Sequence, residues 1–320
     1  MSDTPDVLLD VKDLVVEFSS HAGTLRAVAG VNFQINRGET LALVGESGCG
    51  KSTTARAVIQ LPRPTSGTVL LEGEDLTKAA SARMRELRKR LQIVFQDPIA
   101  SLNPRMRVAD IIAAPLKVTG HKDNAANYEK VRETLEAVGL DPAVAMEKRP
   151  HEFSGGQCQR ISIARALILA PDLLVCDEPV SALDVSIQAQ ILNLLEDMKD
   201  QYSLTMLFIS HDLAVVKSIA DRVAVMYLGK ICEIAPSETL YGSPQHPYTR
   251  ALLSAIPIPD PNAELGRPEL VDGELPSPIN PPSGCVFRTR CPMAQAQCAH
   301  EVPALKAMAD GRQVACHFVG

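Results

Sequence analysis

Hydrophobic and polar positions follow two different periods along this chain. An alternation with a period of two runs through residues 8–18 and again through 28–35, which is typical of half-buried strands. Predominantly apolar runs of strand length then occur at 40–44, 91–95, 173–176 and 205–209. Because helical periodicity separates most of these runs, the pattern predicts an α/β core with repeated β/α units.

Helical periodicity marks the rest of the first 254 residues. It predicts helices at 53–61, 81–90, 108–118, 128–138, from 153 onwards and at 187–198. A hairpin is predicted from 222–227 and 230–234, around Gly229. The segment of about 97–170 is predominantly helical, and we interpret it as a helical subdomain inserted in the α/β core.

The last quarter of the chain has a different texture. Proline recurs eight times between Pro257 and Pro282, which indicates a linker-like or wrapping segment with little regular structure. Four cysteines follow it. We therefore expect two regions: residues 1–254 form the α/β domain, and residues 255–320 form a small, irregular C-terminal extension.

The composition and net charge of the chain argue against several classes of protein. With 46% hydrophobic and 22% charged residues, the chain has the composition of a globular protein. A net charge of −6 argues against a protein that chiefly grips nucleic acid backbone, so no nucleic acid partner is expected. The chain lacks an apolar run of membrane-spanning length, and its acidic N-terminus does not resemble a signal peptide. We expect a cytosolic protein, which could still bind to a membrane complex.

A phosphate-binding pattern lies between the strand 40–44 and the helix that follows. Gly45, Gly50, Lys51 and Ser52 occupy the four fixed places of the template G-x-x-x-x-G-K-[ST]. The glycines allow backbone N–H groups to surround phosphates, and the helix start adds its positive dipole end. Lys51 is expected to reach the β- and γ-phosphates, and the Ser52 hydroxyl to bind Mg²⁺. The sequence therefore predicts a nucleoside triphosphate site.

Two further stretches have the residues that such a site needs. The strand 173–176 leads into Asp177 and Glu178, which we expect to hold Mg²⁺ through water and to polarise an attacking water molecule, respectively. The sequence Ser154-Gly155-Gly156 places a hydroxyl and two glycine N–H groups at a predicted helix start. This second stretch can cradle phosphate, although an ordinary capped helix has the same pattern.

Together these motifs resemble those of ATP-binding cassette (ABC) proteins. The stretch 153–157 is similar to their signature sequence, with Phe153 where leucine is commoner, and residues 181–184 resemble the D-loop. Gln96 and His211 match the Q-loop glutamine and the switch histidine. The resemblance implies an ABC ATPase core of the P-loop NTPase class, with Glu178, His211, Gln96 and Lys51 as its catalytic residues and ATP and Mg²⁺ as its ligands. It implies that ATP is bound by Phe18 (against adenine), Gly45, Glu46, Ser47, Gly48, Cys49, Gly50, Lys51, Ser52, Thr53, Gln96, Ser154, Gly155, Gly156, Gln157, Asp184 and His211. It implies that Mg²⁺ is bound by Ser52, Gln96 and Asp177.

In such ATPases the signature residues of one subunit cover the phosphates bound by the P-loop of another. The resemblance therefore implies a dimer that ATP closes and hydrolysis reopens. It also implies in-line attack of water on the γ-phosphate.

The resemblance is closer to the ATPases of oligopeptide and dipeptide importers. It rests on residues 96–105, 177–186, 246–253, 281–285 and 290–292. It implies import of short peptides, with a second and non-identical ATPase chain, two transmembrane permeases and an extracytoplasmic solute-binding protein as partners. The chain would sit peripherally on the cytoplasmic face of the membrane, and the segment after Gln96 would receive the permeases. Cys158 stands where this family usually has arginine, so one contact near the signature helix is expected to be missing.

The C-terminal cysteines predict a metal site. Cys285, Cys291, Cys298 and Cys316 are separated by 5, 6 and 17 residues, and four thiolates suit either zinc or an iron–sulfur cluster. Zinc usually prefers two tight cysteine pairs, so the looser spacing favours a [4Fe–4S] cluster over zinc. The remaining hypothesis is that the four cysteines are thiols that bind no metal.

Other functions are compatible with parts of this pattern. A cassette ATPase could serve a related solute, such as a nickel complex, glutathione or an opine, or it could serve an exporter. A non-transport ATPase that acts on DNA or the ribosome is disfavoured by the acidic charge, the single cassette and the absence of a long heptad run. A metal-responsive regulator is disfavoured by the complete set of hydrolytic residues.

Overall fold

The computed structural model of the chain describes residues 6–20, 23–120, 125–256 and 275–319. Its strands are β1 (Val7–Ser20), β2 (Gly23–Asn36), β3 (Thr40–Val44), β4 (Ser66–Leu71), β5 (Glu74–Asp75), β6 (Leu91–Val94), β7 (Leu173–Asp177), β8 (Thr205–Ile209), β9 (Arg222–Tyr227), β10 (Lys230–Pro236), β11 (Lys306–Ala307) and β12 (Gln313–Val314). Its helices are α1 (Lys51–Val58), α2 (Ser81–Arg90), α3 (Pro98–Ser101), α4 (Val108–Val118), α5 (Ala125–Ala137), α6 (Pro142–Ala145), α7 (Gly155–Leu167), α8 (Val185–Tyr202), α9 (Leu213–Ile219), α10 (Ser237–Gly242), α11 (Pro247–Ser254) and α12 (Gln297–His300). The predicted α/β character is confirmed.

The chain divides into two compact units. The first consists mainly of residues 78–209, with residues 1–8 and 36–39. The second consists of residues 9–35, 40–77 and 210–320. We call them the signature unit and the P-loop unit, after the motif that each contains, and describe each by itself.

In the signature unit three parallel strands occur in the order β6, β7, β8. All five residues of β7 and of β8 are buried, which explains why both sequences are apolar apart from Asp177 at the end of β7 and Thr205 at the start of β8. Helices α3 to α7 occupy the segment between β6 and β7, where helical periodicity dominates the sequence. Arg165 of α7 fastens this helical region, because its guanidinium donates to the Ser101 carbonyl at 2.6 Å.

The P-loop unit contains a four-stranded sheet and a second run of strands. The four-stranded sheet has the strand order β2, β1, β4, β5, and the second run has the order β11, β12, β10, β9, β3. The strands β3 and β9 are parallel, whereas β9 and β10 form the predicted antiparallel hairpin. Strands β1 and β2 are longer than their sequence patterns predicted, because both continue beyond the alternating segments.

The C-terminal extension has only short regular elements in the part that the structure describes. Its described part, residues 275–319, includes the short strand β12, which pairs with β10 so that Val314 faces Glu233 in the register. Backbone hydrogen bonds thus attach the extension to β10 within the P-loop unit. A two-residue strand has too few positions to show a period, which explains why the sequence pattern did not reveal it.

None of the helices in the described ranges is long and apolar enough to span a bilayer.

Candidate functional site: two helix starts and a carboxylate pair

The loop between β3 and α1 has the geometry of a phosphate cradle. Gly45, Gly48 and Gly50 all have positive φ, at 150°, 79° and 104°. A Cβ on Gly45 would lie 2.1 Å from the Met226 carbonyl oxygen, and one on Gly50 would lie 2.1 Å from the Ala27 carbonyl oxygen. Both approaches are too close for any side chain, so this loop conformation requires glycine.

Lys51 lies at the first position of α1 and points back into the loop. Its buried ammonium group donates to the carbonyl oxygens of Gly45 at 2.7 Å and of Glu46 at 2.9 Å. Gly50 precedes the helix in a left-handed conformation, and no side chain in the described ranges caps α1. The loop therefore combines a lysine charge with uncapped N–H groups at a helix start, which suits a nucleoside polyphosphate. These features also fit Mg²⁺ at Ser52, whose hydroxyl lies in the first turn of α1.

The other residues predicted for this loop take distinct positions. Ser47 is exposed and Thr53 half-buried, whereas Cys49 is buried and its carbonyl accepts the Gly229 N–H at 2.8 Å. Burial raises the pKa of the Cys49 thiol, although Lys51 works against this shift. Cys49 is therefore a protonated packing residue in the loop, and the cradle is made of backbone.

Phe18 and His211 lie elsewhere in the P-loop unit. Phe18 is on β1, with 41% of its surface exposed. His211 is exposed just before α9, beside Asp212, whose carboxylate caps that helix by accepting the Ala214 N–H at 2.8 Å. The roles of Phe18 at adenine and of His211 at the γ-phosphate remain predictions.

In the signature unit the structure brings together two residues that the sequence analysis placed in separate motifs. The side-chain amide of Gln96 donates to the Glu178 carboxylate at 2.9 Å. Glu178 follows β7 with φ of 49°, a conformation uncommon for a residue with a side chain. Its neighbour Asp177 is fully buried at the end of β7. Gln96 and Glu178 thus form a hydrogen-bonded pair, and Asp177 precedes Glu178 in the chain. The roles of these residues at Mg²⁺ and at the attacking water remain predictions.

The signature stretch forms the start of α7, as its sequence predicted. The Ser154 hydroxyl oxygen accepts the Gln157 N–H at 3.3 Å, and the Gln157 side-chain oxygen accepts the Ser154 N–H at 3.0 Å. This reciprocal pair is a capping box. A Cβ on Gly156 would lie only 2.5 Å from the Ile187 side chain, whereas one on Gly155 would meet nothing closer than 3.6 Å. The phosphate-facing role of Ser154, Gly155, Gly156 and Gln157 stays a prediction.

Two further positions of this unit have clear local roles. Asp184 caps α8, and hydrogen bonds from the Ser186 hydroxyl and the Ile187 N–H lower the pKa of its carboxyl group. Cys158 is buried, and its thiol lies 3.4 Å from the Pro150 carbonyl oxygen. Cysteine at this position therefore has a local partner just upstream of the signature stretch.

The metal prediction for the C-terminal cysteines finds no support in the geometry. In the ranges that the structure describes, no group of three or more His, Cys, Asp or Glu side chains could hold a metal ion. Cys298 is buried, and burial raises the pKa of the Cys285 and Cys291 thiols, which favours the protonated form over the thiolate that binds metals. Sequence spacing shows that four cysteines share one segment, but it does not show whether their sulfur atoms converge.

Sequence reasoning missed two residues that touch the P-loop. The Tyr248 hydroxyl accepts the Glu46 N–H at 2.9 Å, and the Arg290 guanidinium contacts the Glu46 carboxylate. Both residues lie in stretches that resemble the importer ATPases, around 246–253 and 290–292. The resemblance marked these stretches but gave neither residue a role.

Comparison with known proteins agrees with this geometry. The family model of ABC transporters matches residues 28–181, and that of the oligopeptide/dipeptide transporter C-terminal region matches residues 232–298. Two solved structures each superpose with a TM-score of 0.65. One is an ATP-binding cassette dimer in a post-hydrolysis state with ADP and Pi, at 25% identity over 72% of this chain and 98% of that one. The other is a cassette from Clostridium perfringens, part of an ABC transporter complex, at 28% identity over 74% and 92%.

Curated relatives match almost the whole chain. A putative peptide import ATP-binding protein of Brucella ovis is 54% identical over 99% of this chain and 98% of its own length. An oligopeptide transport ATP-binding protein of Salmonella typhimurium is 53% identical over 94% and 93%, and a putative one of Bacillus subtilis is 53% identical over 97% and 95%. The predicted ABC ATPase fold is thereby confirmed. The chain belongs to the ABC transporter ATP-binding proteins, in the oligopeptide/dipeptide transporter family.

Proposed function

We propose that this chain is the ATP-hydrolysing subunit of a membrane importer for short peptides. The observation that carries the ATPase part is the P-loop, in which Lys51 is buried against two loop carbonyls and α1 begins without a side-chain cap. The assignment of short peptides as the solute is supported by the names of relatives at 53–54% identity. Both parts agree with the matched family models.

In the proposed mechanism the P-loop holds the β- and γ-phosphates of ATP with its backbone N–H groups and Lys51. Ser52, Gln96 and Asp177 would hold Mg²⁺, which would supply positive charge to neutralise the phosphate oxygens. Glu178 orients and polarises the attacking water, and its hydrogen bond with Gln96 fixes the direction of the carboxylate. His211 contacts the γ-phosphate, and Phe18 stacks on adenine.

The proposed assembly contains more than this chain. Ser154, Gly155, Gly156 and Asp184 contact the nucleotide held by the P-loop of a second cassette, and that second chain is non-identical. Two permeases and an extracytoplasmic solute-binding protein complete the importer, and the cassettes bind on the cytoplasmic side. The solved dimer of a similar cassette with ADP and Pi supports the paired arrangement.

The test is co-purification of tagged Glu178→Gln protein from membranes in the presence of MgATP. Slow hydrolysis is expected to trap the closed cassette pair with its permeases, and the associated binding protein identifies the solute. The matched control is Lys51→Ala protein under the same conditions, which is expected to lose ATP-dependent trapping. Recovery of ribosomes or DNA, or of no membrane protein, would overturn the importer assignment without affecting the ATPase assignment.

The cysteines of the extension have no part in this mechanism. Their predicted [4Fe–4S] cluster is tested separately by iron content and absorption near 400 nm after anaerobic purification. A colourless, iron-free protein would rule out the cluster and leave zinc or free thiols as the alternatives for Cys285, Cys291, Cys298 and Cys316.

A further inference from the structure

The C-terminal extension contributes a charged side chain to the P-loop. One Arg290 nitrogen, Nη1, lies 3.0 Å and 2.9 Å from the two carboxylate oxygens of Glu46. Glu46 is the second residue of the loop, 244 positions earlier in the chain. The Arg290 side chain is only 11% exposed and that of Glu46 is 29% exposed, so this ion pair is shielded from water more than most surface pairs.

An aromatic cluster holds Arg290 in place. Tyr227, Tyr248 and Phe287 pack with ring centroids 4.7–5.3 Å apart. The Arg290 guanidinium lies 5.8 Å from the Tyr227 ring centroid, and its Nη1 is 3.4 Å from the Tyr227 hydroxyl. Phe287 and Arg290 belong to the extension, whereas Tyr227 ends β9. The extension and the strand therefore pack against each other beside the loop.

Glu46 is thus held at both its backbone and its side chain. Its N–H donates to the Tyr248 hydroxyl at 2.9 Å, its carbonyl accepts from Lys51 at 2.9 Å, and its carboxylate binds Arg290. A shift of Glu46 would therefore displace the carbonyl that positions Lys51. The position of the loop lysine thus depends in part on the contact that Arg290 of the extension makes with Glu46.

The charge of Glu46 gives Arg290 a second role. A carboxylate in a loop that receives a polyphosphate repels that ligand, and the repulsion is strong at short range in a partly buried site. The Arg290 guanidinium cancels this charge. Burial lowers the pKa of Arg290, but hydrogen bonds to Glu46 and Tyr227 outweigh burial and raise the pKa above its ordinary value, so the guanidinium stays charged.

We infer that Arg290 is a positioning residue for nucleotide binding, through which the C-terminal extension sets the affinity of the P-loop for a nucleoside polyphosphate. Arg290 acts through Glu46, whose charge it neutralises and whose backbone it helps to fix. The inference rests on the proposed role of residues 45–53 as the phosphate-binding loop. It assigns the extension a function in the ATPase cycle that does not depend on a metal.

A double-mutant cycle tests this inference with the full-length chain. The variants are Arg290→Gln, Glu46→Gln and the pair together, and the readout is the Kd of a fluorescent ADP with Mg²⁺ at low and at high salt. Arg290→Gln is expected to raise Kd about 5–20-fold at low salt, because it exposes the phosphates to an uncompensated carboxylate, and less at high salt. Glu46→Gln is expected to lower Kd about 2–5-fold at low salt, because Arg290 then faces the phosphates alone.

The double variant decides the mechanism. With both charges removed, its Kd is expected to return to within about 3-fold of the wild-type value. A double variant as weak as Arg290→Gln alone would overturn the inference, because Arg290 would then act on packing and not on the Glu46 charge. An unchanged Kd in Arg290→Gln would overturn it as well.

Two controls separate a local effect from a general one. Arg288→Gln changes an arginine of the same extension whose guanidinium donates to Ser283 and not to the P-loop among the described residues, so it is expected to leave Kd unchanged. If Arg290→Gln does not fold, Glu46→Gln still decides the inference, because weaker binding in that variant contradicts it. Arg290→Lys, which keeps the charge, is then expected to bind within about 3-fold of the wild type. Failure of the wild-type protein to bind nucleotide would instead refute the proposed function.

Discussion

Two helix starts in this protein, at residues 45–53 and 154–157, organise their backbone N–H groups in different ways. Before α1 a left-handed glycine leads into the helix, no side chain in the described part of the chain caps it, and residues distant in sequence hold the loop. At the start of α7, Ser154 and Gln157, three positions apart, cap each other by reciprocal hydrogen bonds. One start is fixed by tertiary contacts, and the other is fixed by its own sequence.

This difference has a functional consequence. An uncapped helix start keeps its N–H groups for a ligand, so the P-loop can enclose phosphates on its own. At α7 the capping box already occupies the N–H groups of Ser154 and Gln157. The N–H groups of Gly155 and Gly156 and the hydroxyl proton of Ser154 remain as hydrogen-bond donors. This smaller set suits a motif that completes a phosphate site formed mainly by another loop. The comparison predicts that nucleotide binding depends on the start of α1 and that closure of the cassette dimer depends on the start of α7.

Lys51→Ala is expected to have the largest effect on the P-loop. The change removes the ammonium group that organises the Gly45 and Glu46 carbonyls, and ATP turnover should fall at least about 100-fold. ATPase assays and nucleotide titrations measure this loss. The control is Lys12→Ala, an exposed lysine of β1 in the same unit, whose ion pair with Asp10 has no role in the loop. Nucleotide affinity close to wild type in Lys51→Ala would contradict the proposed site.

His246 makes the support of the P-loop sensitive to acid. Its ring nitrogen Nδ1 caps α11 by accepting the Tyr248 N–H, and its backbone N–H donates to the buried Glu233 carboxylate. Burial lowers the pKa of His246 to about 4 from 6.5, which a hydrogen bond to the Ala315 backbone offsets only in part. The unfolded chain therefore binds this proton first, and stability is lost as the pH falls from 6.5 towards 4.

The size of this effect follows from linkage. Between pH 7 and pH 5 the histidine should cost about 2 kcal/mol of unfolding free energy. Denaturation of wild type and of His246→Asn, which keeps an N-cap acceptor, at both pH values isolates this contribution from that of the carboxylates. Equal pH dependence in the two proteins would show that His246 titrates normally.

Gly156→Ala tests how tightly the signature helix start is packed. The new methyl group would overlap Ile187 of α8, so the expected loss is about 1–2 kcal/mol of unfolding free energy after the gain in helix propensity. Gly155→Ala is the matched control, because its methyl group has room and the same propensity gain. Urea denaturation of both variants distinguishes them, and an equal stability would place the close contact in doubt.

Ser154→Ala is expected to have the smallest effect on stability. It removes one half of the capping box and should cost about 1 kcal/mol of unfolding free energy, which Ser154→Thr should largely restore. Thermal or urea denaturation measures the difference. If the box is not needed for the fold, the alanine and threonine variants will unfold alike.

Local pattern alone predicted much of the fold. The helices at 81–90 and 108–118 and the strand at 40–44 occur where periodicity placed them, because each buries one continuous or regularly repeating apolar set. The helix after the P-loop begins at Lys51, two residues before the predicted start, because a left-handed glycine begins it and supplies no side-chain capping signal. Boundaries of this kind depend on backbone conformation, which the apolar pattern does not encode.

By itself the sequence determined the identity of the family, the motifs of the two helix starts, and the strands that carry them. The sequence reveals a motif because its residues are close together in the chain and therefore also lie close together in the fold. Only the tertiary structure decided that Arg290 and Tyr248 hold Glu46, that Gln96 meets Glu178, and that the cysteines form no metal-holding group among the described residues. The contacts of Glu46 and Glu178 depend on how residues 82–244 positions apart in the chain converge, and local periodicity contains no information about such long-range contacts.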